Sequence, residues 1–467
     1  LRDAEDDMAD TPNSPSASPE AGGAPAFTAA LAQWISRVDD DAISASAWEW
    51  SKHVLLDWLA VGVAGASEPL VQMLLAEYGG GGEQPCTLLS SPMRARPHDA
   101  ALINGAAGHA LDFDDVASRM VGHPTAPVAP AALALAQSLG ASGRDLLRAL
   151  IVGHEIESRI GEVAGLSHYQ LGFHVTGTIG TFGAAAACAR LRKLDAATTR
   201  HALGLAATQA AGLKSMFGTM AKPLHAGKAA MNGLMAAQLA ARGFTAHESA
   251  IECPQGFART QAPSLNPMST VIDTRAGFAI EAALFKYHAA CYLTHSTIEA
   301  IRQARVRHGV TLDALDSMTV TVAGNQRGVC DIANPQTGLN VKFSIQHLAA
   351  LALDGADTAA LGLYTDQTAL DERLGKARAR IALNVVDSPD RDTAVVSMRL
   401  RDGREVTEQA NVAIPAKDLG AQWTRLVGKA RSIVTPVLGS QRFEAMVAAV
   451  QTLDRSTSLQ PLLAALH

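Results

Sequence analysis

From about residue 27 the apolar positions recur with helical spacing. In SAWEWSKHVLLDWLAVGVAG, Trp50, Val54 and Trp58 fall on one stripe, with Leu55 and Leu59 beside it. Further helices are predicted at roughly 99–113, 126–140, 143–163, 174–192, 195–212 and 225–242. The breaks between them carry Gly79 to Gly82, Pro92, Pro97, Gly122-His123-Pro124, Gly143 and Pro223. After about residue 270 the period shortens. SMTVTVAG (317–324) alternates Met318, Val320 and Val322 on one face, as a half-buried strand should. Stretches 379–388, 393–403 and 404–412 read as further strands, and Asp402-Gly403 between the last two is a hairpin signal. The helix FSIQHLAALALDG lies among these strands, and helical periodicity returns from about 416. The predicted fold is therefore mostly α with an α+β second domain. Residues 1–26 form a leader, 27–270 the first part of a large helical domain, 271–412 the α+β domain, and 413–467 the C-terminal part of the helical domain.

Composition supports that division. A chain of 467 residues exceeds the roughly 250–300 residues that one core usually serves. Hydrophobic residues make up 48% and charged ones only 18%, which favours a large filled core over a solvated chain. Aromatics are scarce and Ala and Gly abundant, so closely packed helices are expected rather than a β-sandwich. The net charge is −6, and no basic block with interleaved aromatics exists to neutralise phosphates. A nucleic-acid surface is thereby excluded. Cys86, Cys188, Cys253, Cys291 and Cys330 are widely spaced and form no C-x-x-C pair. A disulfide framework, a zinc knuckle and an iron–sulfur site all lack support, and a cytoplasmic setting fits best. The first 26 residues are acidic and then Pro/Ser/Ala-rich, with neither a basic n-region nor an apolar h-region. A disordered leader is expected there rather than a signal peptide. The charge-free stretch from Pro124 to Gly143 holds three prolines and Gln137, which favours a buried helix over a membrane span.

Polar residues cluster in four places. HALDFDD (109–115) gathers a histidine and three carboxylates at a predicted helix end. His109 and Asp112 are three apart, hence expected on one helical face, and acids at a helix C-terminus oppose the macrodipole. No second acidic or histidine cluster at ligand spacing supports a metal site. GHPTAPVAP places His123 in a loop before a helix, and LGFHVTGT places His174 at the start of a small-residue helix. That helix spaces Gly177, Gly180 and Gly183 by three, a pattern for close helix packing rather than nucleotide binding. In KPLHAGK, Pro223 is expected to keep Lys222 out of the helix, which would then start near His225. Lys222, His225 and Lys228 stack positive charge on a helix N-terminus, which suits a bound carboxylate or phosphate. FKYHAACYLTHS holds Lys286, His288, Cys291 and His295 in a loop-like stretch; Cys291 reads either as a reactive thiol or as a small buried residue. No nucleophile elbow, phosphate loop or dinucleotide fingerprint occurs in a suitable context. A His, Lys and Asp set without cofactor signals suits proton transfer next to a carboxylate.

Taken together, HALDFDD, GHP, FHVTGTIGTFGAAAACARL, AKPLHAGKAAMNG, FKYHAACYLTH and NPQTGLNVKFS resemble the MmgE/PrpD family over nearly all of the chain after the leader. The resemblance implies a helical domain built from both chain ends, an α+β lid domain, a homodimer, and a site at the domain junction with no metal or organic cofactor. It implies catalytic roles for Asp112, His123, His174, Lys222 and Lys286, with His225 and Cys291 in contact with substrate. Val116 and Cys291 stand where the decarboxylases of the family carry threonine and histidine. The resemblance then implies a hydro-lyase acting on a small di- or tricarboxylate. Its alternatives are an epimerase of an iminodisuccinate-like amino diacid and a cis-aconitate-type decarboxylase. Under any of these, the two lysines hold carboxylates and a histidine moves the proton.

Overall fold

The computed structural model describes residues 26–80, 83–388 and 390–467, so the expected leader lies almost wholly outside the described residues. The helix Ala45–Gly65 is buried on nearly every side, not along the Trp50–Val54–Trp58 stripe alone. Its one buried lysine, Lys52, is paired with Glu49 at 2.9 Å and Asp454 at 3.1 Å. It is a central helix, wrapped by Pro97–His109 on one side and by Leu419–Leu438 from the far end of the chain on another. The two chain ends thus build one helical body. Ser90 N–H donates to the Leu466 carbonyl at 2.8 Å, and Gly143 N–H to that of Ser456 at 2.9 Å.

Small residues set the distances between the inner helices. Val175–Leu191 packs on Ala221–Ala240, Gly143–Leu171 and Thr125–Leu139. A Cβ on Gly177 would sit 2.8 Å from the Ala211 carbonyl oxygen and 3.0 Å from the His225 Cβ. The helices Pro97–His109 and Ala221–Ala240 meet backbone to backbone: a Cβ on Gly105 would lie 2.8 Å from Gly227 Cα. The glycine spacing therefore serves packing, as expected. The charge-free segment becomes the buried helix Thr125–Leu139. Among the described residues, no single helix is long and apolar enough to cross a membrane.

The second core is α+β. Its sheet has the strand order Ile381–Val386, Leu315–Ala323, Thr393–Leu400, Glu405–Asn411. The first pair is parallel, with Met318 opposite Ile381, and the others are antiparallel, with Val320 opposite Val396 and Val396 opposite Glu408. Met318, Val320 and Val322 all face inward, as their alternation predicts. The helices His295–His308 and Ile345–Asp354 cover that apolar face. The turn after Leu400 has Gly403 at φ 86°, which closes the expected hairpin.

Phe278, Ile280, Phe285 and Ala289 join the first core, and Ala290 joins the second. Two expectations are corrected. The helix expected over 99–113 ends at His109, and Asp112 has a left-handed backbone at φ 49°. His109 and Asp112 therefore do not share a helical face. Second, the helix expected from His225 begins at Ala221, which puts Lys222 inside it and Pro223 in its first turn. First-turn N–H groups have no intrahelical acceptor, so proline loses nothing there and its fixed φ suits the helix.

Candidate active site

The run Asp112–Asp115 leaves the end of the Pro97–His109 helix and crosses beneath two other segments. Lys222, in the first turn of Ala221–Ala240, reaches Asp112 Oδ1 with Nζ at 2.9 Å. Lys286, in the extended stretch that leads to the second core, reaches the same oxygen at 3.0 Å and donates to the Asp112 carbonyl at 2.5 Å. His123 Nε2 lies 3.4 Å from that oxygen as well. The loop carrying His123 is fixed by its own backbone: His123 N–H donates to Thr176 Oγ1 at 3.1 Å, and Ala117 and Gly122 pair across the turn.

Burial would raise the Asp112 pKa, but the charges of Lys286 and Lys222, then His123, hold it well below the usual carboxylate range. The side chain is still open to solvent over 55% of its surface, so the ammonium contacts rather than burial decide this direction. Asp114 is fully buried and accepts from His109 Nδ1 at 2.9 Å. Burial opposes its charge too; His109 and His123 outweigh it and keep Asp114 ionised. His123 Nδ1 is 3.1 Å from Asp114 Oδ2 but off the line of a hydrogen bond. Asp115 behaves oppositely. Burial, then the charge of Asp57, raises its pKa well above the ordinary value, and its Oδ2 accepts from Thr125 Oγ1 at 2.7 Å.

A second histidine pair lies alongside. His174 precedes Val175–Leu191, with its N–H on the Gly212 carbonyl at 3.0 Å. Its Nδ1 is 3.0 Å from His225 Nδ1, so one ring donates and the other accepts. His109 bridges the two groups, with its ring 4.5 Å from that of His123 and 5.7 Å from that of His174. Burial pushes the His174 pKa far down, and the Lys222 ammonium works in the same direction, so the ring is neutral. Phe217 packs edge-on to His174 at 5.0 Å and lies 5.5 Å from the Lys222 ammonium.

The fold thus brings Asp112, His123, Lys222 and Lys286 into one cluster and places His174 and His225 beside it. Cys291 packs against the second core beside Cys330, near enough for the charges of Lys286 and Asp112 to act on its thiol. His109 and Asp114, which link the groups, belong to the HALDFDD cluster but have no role of their own in the sequence pattern, and nothing there singles out Phe217. Lys342, whose pKa burial lowers against the opposing charges of Glu68 and Asp112, is another such residue. Each sits inside or next to a quoted motif, but spacing alone gives no way to see that His123 folds back onto Asp114. Lys228 takes no part in these contacts.

The donor atoms of His109, Asp112, Asp114 and His123 all lie within 4.8 Å of one another, a ligand set the linear spacing did not disclose. Two ammonium groups already sit on Asp112, however, and a dication placed there would face both at close range. The arrangement suits an arriving anion and proton exchange among side chains better than a metal ion.

Two cores with a lysine, aspartate and histidine cluster between the helical body and the crossover to the second core mark a particular class, and the sequence comparisons agree with it. Residues 29–267 match the MmgE/PrpD N-terminal domain and residues 288–454 the MmgE/PrpD C-terminal domain. The chain belongs to the MmgE/PrpD family. It is 27% identical to a cis-aconitate decarboxylase of Aspergillus terreus over 94% of this chain and 96% of the relative. It is also 27% identical to the cis-aconitate decarboxylase of Homo sapiens, over 86% of this chain and 87% of the relative, and 26% identical to that of Mus musculus, over 86% of each. These likenesses support an enzyme of the lyase type; they do not support a dehydratase in particular.

Proposed function

We propose that this protein is a lyase acting on a small tricarboxylate, with decarboxylation of cis-aconitate or a near analogue as the leading reaction. The observation that supports it is the pairing of Lys222 and Lys286 on one carboxylate oxygen beside three histidines. Two ammonium groups held there can receive substrate carboxylates in place of Asp112. In the reaction, carbon dioxide leaves from the carboxylate on the CH2 arm. Its carbon–carbon electron pair becomes the new double bond. The pair of the old double bond takes a proton at the carbon next to another carboxylate. Charge gathers on that carboxylate meanwhile, and Lys222 or Lys286 stabilises it. The proton comes from the His174–His225 pair or from His123. His174 is neutral in the free protein; a trianion beside it offsets the neighbouring positive charges and lets it take up the proton it must give.

Dehydration is the second reading, favoured by Val116 and Cys291 at positions where the decarboxylases carry other residues. There the same histidines remove a proton and water leaves. Incubation with cis-aconitate, citrate and an amino diacid in deuterated water, followed by proton NMR, separates the cases. Carbon dioxide loss with deuterium in the product supports decarboxylation. An alkene of unchanged carbon count supports dehydration. Exchange at one carbon without a new product supports epimerisation and overturns the lyase reading, as does no change in any substrate.

A further inference from the structure

The four residues of the Asp112–Asp115 run are each tied to a different part of the fold. Lys286 Nζ holds the Asp112 carbonyl at 2.5 Å, His109 holds the Asp114 carboxylate at 2.9 Å, and Thr125 holds Asp115 at 2.7 Å. The Phe113 carbonyl accepts from Lys429 Nζ at 2.8 Å, and the same ammonium lies 4.0 Å from the centre of the Phe113 ring. Lys429 comes from the helix Leu419–Leu438 and is only 3% exposed. Its other bond, at 2.5 Å, goes to Asp57 on the central helix, which is equally buried.

An ion pair of this kind is a poor source of net stability, because desolvating two charges offsets their attraction. Burial works against both groups here, lowering the Lys429 pKa and raising that of Asp57 to about 6. What the pair does supply is a rigid, directed donor to the Phe113 carbonyl, one residue beyond Asp112. That turn needs one. Asp112 has φ 49°, a conformation that costs a non-glycine residue energy and persists only where its surroundings fix it.

We infer that Lys429 is a positioning residue: anchored by Asp57, it clamps the Phe113 carbonyl so that Asp112 keeps the left-handed backbone that sets its carboxylate between Lys222 and Lys286. The inference rests on the reading of Asp112 as part of the active site. Lys429 touches no substrate; it acts through the loop.

The test uses three full-length variants. Lys429→Met leaves Asp57 buried without a partner and can fail to fold, so Lys429→Met combined with Asp57→Leu removes both charges together. Lys429→Arg keeps a donor. In the double variant, the amides of residues 112–115 should exchange with deuterated water at least about tenfold faster than in wild type, with the rest of the helical body unchanged. The kcat on cis-aconitate should fall at least about tenfold while KM stays within about threefold, and Lys429→Arg should retain part of kcat. Wild-type exchange over 112–115 in the double variant overturns the inference. So does faster exchange there with kcat unaltered. If the wild-type protein turns over no carboxylate, the lyase reading falls by itself, and the exchange rates still decide whether Lys429 holds the loop.

Discussion

Lys222, from the first turn of a helix, and Lys286, from the extended crossover to the second core, converge on one oxygen, Asp112 Oδ1, at 2.9 and 3.0 Å. Neither segment touches the other in sequence, and the carboxylate is what joins them. Lys222→Met and Lys286→Met should each lower kcat/KM at least about a thousandfold, the scale of losing a charge stabiliser at a reacting centre. Because they share one anion, the double variant should lose far less than the product of the two effects. Steady-state kinetics on the three variants checks this; independent, multiplying losses would mean that the two ammonium groups serve separate sites.

His174 is held neutral by burial and by the Lys222 ammonium beside it. Lys222→Met should therefore raise its pKa, and so should a bound tricarboxylate in the wild-type protein. NMR titration of the histidine ring protons, with and without tricarballylate, reads both shifts. An unmoved His174 resonance in the presence of bound ligand would argue against its facing the substrate.

Several histidines are buried in neutral form. Burial lowers the pKa of His109 and His53 to about 4, and that of His154 to about 3. In the unfolded chain each titrates near 6.5, so below that pH the unfolded state binds more protons than the folded one. Stability is thus fully present above pH 6.5 and falls as the pH drops from there towards 4. Each such histidine contributes about 1.4 kcal/mol of loss per pH unit in that window. Urea melts at pH 7.5, 6.0 and 5.0 should show a steadily falling midpoint, and a flat midpoint would contradict the buried neutral rings.

The pKa of the Cys291 thiol is lowered from its ordinary value; the neighbouring Cys330 thiol and the Leu293 N–H outweigh burial. Burial instead pushes Cys86 up to about 12, and Cys188 upward as well. Iodoacetamide labelling of Cys291, followed by peptide mass spectrometry, should rise at a lower pH than that of Cys86 and Cys188. Labelling of Cys291 that rises only above pH 9 would count against the lowered value.

The Gly227 Cα faces the Leu102 carbonyl oxygen so closely that a methyl group has no room. Gly227→Ala should force apart the helices that carry Lys222 and lead into Asp112, at a cost of roughly 1–3 kcal/mol in stability. A thermal melt reads the loss. Activity should fall with it, whereas Gly428→Ala, whose added Cβ meets nothing in the middle of a helix, should leave stability undiminished.

Much of the architecture is legible in the sequence because burial imposes local periods. Met318, Val320 and Val322 announce their strand, and the small residues around Gly180 announce close packing. Helix ends are harder. Pro223 reads as a barrier when counted alone, yet a first helical turn accepts it. His109 pairs with Asp114 rather than Asp112 because the chain reverses hand at Asp112, and nothing in HALDFDD encodes that turn except the contacts it enables. The motif residues could be chosen from the sequence, but their partnerships could not. Lys429 is the extreme case: it lies in an ordinary amphipathic helix, and its role exists only once the last helices have docked.

That docking bears on the order of synthesis. Ser90 bonds to Leu466, Gly143 to Ser456, and the central helix packs on Leu419–Leu438, so the body that emerges first from the ribosome is closed by what emerges last. Until then Ala45–Gly65, which the folded protein buries on nearly every side, has a face with nothing to cover it. The nascent chain must carry that exposed surface through translation of the entire second core, which makes it a natural client for a chaperone and makes C-terminal truncations prone to aggregate rather than merely to lose activity.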